Sequence, residues 1–250
     1  MQPTQRFSNR ADNYARFRPG YPAAVVETLR SDAAWKRGGR VADIGAGTGI
    51  SSELFLRHGY EVTAVEPNAA MRAKAEAWLG ANAQFRAVTG TAEETGLPDQ
   101  SFDGVICAQA FHWFRAEEAG REFRRILRPG GVIAVMWNLR RSDASPFMAG
   151  LDALLLRHCP DYAGQVVQET QRSVASVMAL GDAVQPRELP WVDPLDRDTM
   201  VGRLLSASYV PLEGEPGHEP LLAGVHCLFD REARDGLVDM VYDTKLYWTL

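Results

Sequence analysis

The stretch VADIGAGTGISSELF (residues 41–55), continued by EVTAVEPNAAMR (61–72), decides the fold. An apolar run, a turn carrying Gly45, Gly47 and Gly49, a helical pattern and a second apolar run make one βαβ unit, and glycine lets the backbone turn sharply between strand and helix. Working outward, RVADI (40–44) predicts a first strand, TGISSELFLRHG (48–59) a helix and EVTAVE (61–66) a second strand. NAAMRAKAEAWLG (68–80) predicts a helix ending on Gly80, and AQFRAV (83–88) a third strand. FDGVICAQ (102–109) follows as a fourth strand, AEEAGREFRRILRPGG (116–131) as a helix stopped by Pro129 and two glycines, and VIAVMWN (132–138) as a fifth strand. Strands alternating with helices are the signature of a parallel sheet built from βαβ units.

Beyond Asn138 the pattern changes. SPFMAGLDALLLRHC (145–159) and residues 165–180 read as helices outside the repeat, an insertion that could cover the carboxyl edge of the sheet. AVQPRELPWV (183–192) reads as a weak strand, 196–208 and 217–234 as helices, and LVDMVYDTKLYWTL (237–250) as a terminal strand. The expected fold is therefore α/β and Rossmann-like, a mostly parallel seven-stranded sheet with helices on both faces and a helical insertion after the fifth strand. Without an internal repeat or low-complexity linker, one domain is expected over 1–250: a ligand-binding core at 35–140, a helical region with a sixth strand at 140–235, and the terminal strand at 237–250.

Composition narrows the function. With 27 basic against 32 acidic residues the net charge is -5, which repels a phosphate backbone, so no nucleic-acid partner is expected. The four arginines between Arg121 and Arg128 alternate with Phe123, Ile126 and Leu127 and read as the solvated face of a helix. Cys107, Cys159 and Cys227 are odd in number and far apart, which suggests neither a disulfide framework nor a thiolate metal site and points to the cytoplasm. The five histidines have no ligand spacing, so no metal is expected. No apolar leader is seen, and no run approaches the ~18 apolar residues that span a bilayer, so no membrane partner is expected either.

The glycine turn carries the chemistry. A nicotinamide fingerprint has its third glycine three residues after the second, so that a helix N-terminus receives the pyrophosphate. Here Gly45, Gly47 and Gly49 are spaced by two, and position 50 is Ile. Asp43, two residues before the first glycine, opposes a pyrophosphate but favours a cation such as an ammonium or sulfonium, unless it is a structural carboxylate for the loop amides. Glu66, at the end of the second strand, can accept hydrogen bonds from both hydroxyls of a ribose.

In these features the chain resembles the class I S-adenosylmethionine-dependent methyltransferases, in the methyltransferase type 11 branch of small-molecule enzymes that includes trans-aconitate methyltransferase. The resemblance runs through VADIGAGTG, AVEPNAAM, GTAEETGLPDQSFDGVICAQAFHWF and LRPGG, over roughly residues 35–140. It implies S-adenosyl-L-methionine as cofactor, with Gly45, Ala46, Gly47 and Gly49 around its methionine portion and Glu66 on its ribose. Pro67, Met71, Thr91, Ala92 and Glu93 would border the adenine, and Gln109 and Ala110 would lie beside the sulfonium. FSNRADNYARFRPGYP (7–22) resembles the N-terminal segment that closes over the cofactor in that branch, which makes Tyr14 and Arg18 candidates for the cofactor or an acidic acceptor.

The acceptor is expected to be a small molecule. A carboxylate is already ionised at neutral pH and needs no base, whereas a phenol or amine benefits from one. His112 is the candidate base, and Phe111, Trp113, Trp137 and Arg140 are candidate lining residues, with a core role open for the aromatics. Non-catalytic cofactor binding, methylation of a macromolecule, and NAD-dependent oxidoreduction remain open alternatives. The sequence does not set an oligomeric state.

Overall fold

A computed structural model describes residues 17–164, 177, 180 and 183–249. Tyr14 and nearly all of the helix expected at 165–180 lie outside the described residues. In chain order the elements are α1 (Ala24–Asp32), β1 (Arg40–Ile44), α2 (Ile50–Arg57), β2 (Glu61–Val65), α3 (Ala69–Leu79), β3 (Phe85–Val88), β4 (Phe102–Ala108), a short 3-10 helix (Phe111–Trp113), α4 (Ala116–Ile126), β5 (Leu127–Arg140), α5 (Pro146–His158), β6 (Gln185–Leu195), α6 (Arg197–Leu205), α7 (His218–Glu232) and β7 (Val238–Thr249).

The seven strands form one sheet in the order β3-β2-β1-β4-β5-β7-β6. The pairings from β3 to β5 are parallel, and β7 enters antiparallel between β5 and β6. The sheet is Rossmann-like, with the order reversing at β1 and β4, where open α/β sheets hold their ligands beyond the carboxyl ends of the strands. Ala134 and Met136 of β5 pack into one core with α1 and α2, while Ile133, Val135 and Trp137 pack into a second core with α4. Alternate residues of a strand face opposite ways, so one apolar run serves both layers. A third core joins α5, α6 and α7 to Val238, Met240 and Tyr242 of β7.

Most boundaries shift by a few residues, and the largest difference among the described elements lies where α4 meets β5. The helix expected to reach Gly131 ends at Ile126, because Leu127 is already extended and Pro129 disfavours a helical conformation in Arg128 before it. Leu127 pairs with Phe102, and a register shift then carries the chain through Arg128–Gly131 into the pairing of Gly104 with Val132. At the outer edge, Pro186, Pro190 and Pro194 share one parity of β6, so their missing N–H groups fall on one side of the strand. Such residues fit a ladder only where that side faces solvent, and there they blunt edge-to-edge pairing.

Candidate functional site

The loop between β1 and α2 hangs from the end of β2, since the amides of Gly45 and Ala46 both donate to the Val65 carbonyl, at 2.9 and 3.3 Å. Gly45 and Gly47 have φ of +70° and +58°, the left-handed region that side chains disfavour. A Cβ on Gly45 would also stand 2.8 Å from Ala110 Cβ and 2.9 Å from Phe114 Cζ. Gly49 serves packing: a Cβ there would lie 2.7 Å from Leu79 Cδ1 and 3.3 Å from Ala75 Cβ, so it sets the approach of α2 to α3.

Two carboxylates hold this loop. Glu66 is 9% exposed and accepts from the amides of Gly47 (2.9 Å) and Asn68 (2.8 Å), and burial raises its pKa. Asp43 is fully buried, and its Oδ2 accepts from the hydroxyls of Ser51 and Ser52, both at 2.7 Å. Its bonds are thus to helix hydroxyls rather than to loop amides. Burial pushes Asp43 up to about 6, against the pull of the two serines. Its Oδ1, and the hydroxyl of Thr48 in the same loop, are buried without a hydrogen-bond partner among the described residues. Buried polar groups rarely go unpaired, so these atoms fit a ligand that carries donors or positive charge.

The expected adenine-side residues gather at the same edge. Met71 is buried and lies 3.4 Å from where a Gly47 Cβ would stand, and Pro67 is half-buried between Glu66 and Asn68. Ala92 packs into the core, Thr91 is exposed and closes a turn with Glu94, and a Glu93 carboxylate oxygen accepts from the Arg115 amide at the start of α4. Gln109 has φ of +55°, a conformation uncommon outside glycine, and aims its amide toward the Asn138 carbonyl at 3.4 Å. Such backbone strain concentrates at ligand sites.

Beside this edge lies a cavity of about 500 Å³. A smaller crevice between the glycine loop and Tyr21 touches Ala46 and Ser51, and it shares Arg18, Gln109 and Asn138 with the cavity. The loop and the cavity are therefore neighbours. Trp137 and Arg140, two of the candidate acceptor-lining residues, are among the residues that line this cavity. Phe111, Trp113 and His112 are not among its described lining residues. Phe111 is fully buried against Phe114 and Phe123, the core role that its aromatic neighbours left open. His112 accepts at Nδ1 from the Trp137 indole N–H (3.2 Å) and packs against Trp113, so it supports a wall of the cavity.

The sequence reading missed most of the wall. Arg203, Lys245, Tyr162, Tyr209, Tyr242 and Tyr247 line it together with Arg18 and Arg140, and no carboxylate or imidazole is among the described lining residues. Arg203 pairs with Asp193 at 2.6 Å, and Lys245 pairs with Glu188. Burial pushes the Tyr162 hydroxyl up to about 12, so at neutral pH it donates, to Asp152. Among the described residues there is no cluster suited to hold a metal ion and no helix long and apolar enough to cross a membrane.

Comparison with known proteins fits this geometry. Residues 42–135 match the model of the methyltransferase domain. Uncharacterized methyltransferases of Mycobacterium tuberculosis and Mycobacterium bovis are each 40% identical over 134 residues, 54% of this chain and 52% of theirs. The chain thus spans about half the length of these curated relatives. Among solved structures, a chain from Anaeromyxobacter dehalogenans assigned as a type II methyltransferase has a TM-score of 0.69 at 24% identity, over 93% of this chain and 97% of that one. A Haemonchus contortus phosphoethanolamine N-methyltransferase, solved with phosphomonomethylethanolamine and S-adenosylhomocysteine, has a TM-score of 0.55 at 15% identity, over 96% of this chain and 56% of that one. At these identities the solved structures speak for the fold.

Proposed function

We propose that this chain, whose residues 42–135 match the model of the methyltransferase domain, transfers the methyl group of S-adenosylmethionine to an oxygen of a small carboxylate acceptor. The observation that carries this reading is the cavity adjoining the glycine loop, cationic and phenolic in its described lining and without a carboxylate or imidazole there. A volume of about 500 Å³ suits a small molecule.

S-adenosylmethionine, when bound, supplies an electrophilic methyl group on a sulfonium. Glu66 is placed to accept from ribose hydroxyls, since each of its oxygens keeps a lone pair beyond the Gly47 and Asn68 bonds. Asp43 and Thr48 offer their unpaired atoms to the cationic end of the methionine portion. Gln109 and Asn138 border both spaces and are placed to orient the acceptor, and orientation is much of what an in-line displacement requires.

The carboxylate assignment follows from what the cavity can do with a proton. A carboxylate is already ionised at neutral pH, so its oxygen would take up the sulfonium's methyl group, with the thioether as leaving group, without any proton having to move. An amine or phenol would have to lose one, and the phenol of Tyr162, held protonated, is no base at neutral pH. The described cations favour the anion instead.

Isothermal titration with S-adenosylmethionine and S-adenosylhomocysteine, followed by detection of S-adenosylhomocysteine release against pools of carboxylates, phenols and amines, tests the proposal. Binding of both nucleosides with turnover on carboxylates is expected. Absence of nucleoside binding by the folded protein would refute the cofactor, and turnover confined to amines or phenols would refute the acceptor.

A further inference from the structure

We infer that Arg140 is a specificity residue that holds a second, non-reacting oxyanion of the acceptor at the end of the cavity remote from the methyl donor. The inference rests on the reading of this cavity as the acceptor site.

The cavity has two distinguishable ends. At one it shares Arg18, Gln109 and Asn138 with the crevice over the glycine loop. At the other it shares Arg140, Leu151 and Tyr162 with a further cavity of about 300 Å³ that reaches Asp152 and Leu156. The two flanking spaces have no described lining residue in common. Arg140 therefore stands away from the glycine loop. Asn138 and Arg140 lie two residues apart on β5, with side chains on one face and Cα atoms about 7 Å apart by strand geometry.

Arg140 also differs in its partners. Arg203 and Lys245 are neutralised by Asp193 and Glu188, and the adjacent Arg141 by Asp143 and Asp243. Arg140 has no ion-pair partner among the described residues. One of its Nη groups donates to the Tyr162 hydroxyl at 3.0 Å, and that hydroxyl donates in turn to Asp152. The guanidinium carbon lies 5.4 Å from the Tyr162 ring centroid and 5.9 Å from that of Tyr209. The two phenols, themselves in contact with ring centroids 5.0 Å apart, fix the plane of the guanidinium without cancelling its charge. A guanidinium has five N–H donors in a rigid fork, and its unused donors match two oxygens of a carboxylate or phosphonate. A group held there cannot also sit at the donor end, so the acceptor carries two functions: the oxygen that is methylated and an anionic handle at the opposite end of the cavity.

The test is titration of straight-chain dicarboxylates from glutarate to pimelate, of monocarboxylates of equal length, and of 3-phosphonopropionate. Each is run with and without saturating S-adenosylhomocysteine, on the wild-type chain and on Arg140→Met, Arg140→Lys and Tyr162→Phe. The wild-type chain is expected to bind a diacid about tenfold or more tightly than the matched monoacid. Arg140→Met should erase that preference, Arg140→Lys retain part of it, and Tyr162→Phe weaken it less than Arg140→Met. Preference for 3-phosphonopropionate over glutarate would identify the handle as a phosphonate or phosphate. S-adenosylhomocysteine affinity and melting temperature, unchanged in Arg140→Met, show that the fold and the donor site persist. No affinity for any diacid, equal affinity for diacids and monoacids, or an Arg140→Met variant that keeps the wild-type preference overturns the inference. Loss of nucleoside binding in the wild-type chain would instead strike the proposed function, and the titrations without nucleoside still judge Arg140.

Discussion

Replacing Asp43 by asparagine should change how stability depends on pH, and the size of the change follows from the burial of that carboxyl. Its pKa rises from 3.8 to about 6, chiefly because the charged form is desolvated. A folded pKa above the unfolded one means that the folded chain binds the proton more tightly. The contribution is therefore fully present below pH 3.8 and is lost as pH rises through about 6. Two units at 1.36 kcal/mol each amount to about 3 kcal/mol lost across that window. The asparagine variant has no such titration. Its amide places donors where Oδ1 has no partner, a cost of about 1–3 kcal/mol that does not vary with pH. Measured by urea unfolding in steps from pH 4 to 7.5, the stability of Asp43→Asn minus that of wild type should climb by about 2 kcal/mol, the rest of the change falling below pH 4, whatever its starting value. S-adenosylmethionine affinity should move oppositely, weakening in the wild-type chain below pH 6, where Asp43 takes up its proton, and staying flat in the variant. Parallel stability curves for the two proteins would refute the reasoning, because a buried titrating carboxyl cannot leave the difference constant.

Three further outcomes are expected. Glu66→Ala should weaken S-adenosylmethionine binding by about 1–3 kcal/mol in a folded protein, since it removes the proposed ribose acceptor and unpairs the Gly47 amide; calorimetry reads this directly. Gly49→Ala should lower unfolding free energy by about 2–4 kcal/mol, combining a left-handed φ of +91° with a Cβ pressed against Leu79 and Ala75, and denaturant melts give the value. Glu122, held down from 4.5 to about 2 chiefly by its hydrogen bonds from Arg125, contributes stability present above pH 4.5 and lost as pH falls toward 2; Glu122→Gln should flatten that acid limb of the melting temperature.

What could be read from the sequence divides along locality. The first four strands and the helices between them are legible because each apolar run and its turn are contiguous, and RVADI becomes β1 with the same boundaries. The helix end at Ile126 is less legible, since Pro129 and two glycines mark a stop without saying that the chain is already extended at Leu127. Nothing in residues 237–250 announces that the last strand inserts between β5 and β6, because its pairing partners are distant in sequence and leave no local pattern.

The site divides the same way. Gly45, Gly47, Asp43 and Glu66 fall within one βαβ unit, so their spacing alone brings them together. The cavity wall draws Arg18 from before α1, Arg140 from the end of β5, Arg203 from α6 and Tyr247 from β7. Those residues have no mutual spacing, and in the sequence Arg203 looks like any cation on a solvated helix face. Only the packing of α5, α6 and α7 onto β7 turns it inward, where Asp193 then has to neutralise it. The same packing surrounds Arg140 with phenols, Asp152 reaches it only through the Tyr162 hydroxyl, and an arginine without a direct ion pair among the described residues suits an anion supplied from outside. The glycine-loop half of the site is thus written into adjacent residues, whereas the cavity half exists only in the folded chain.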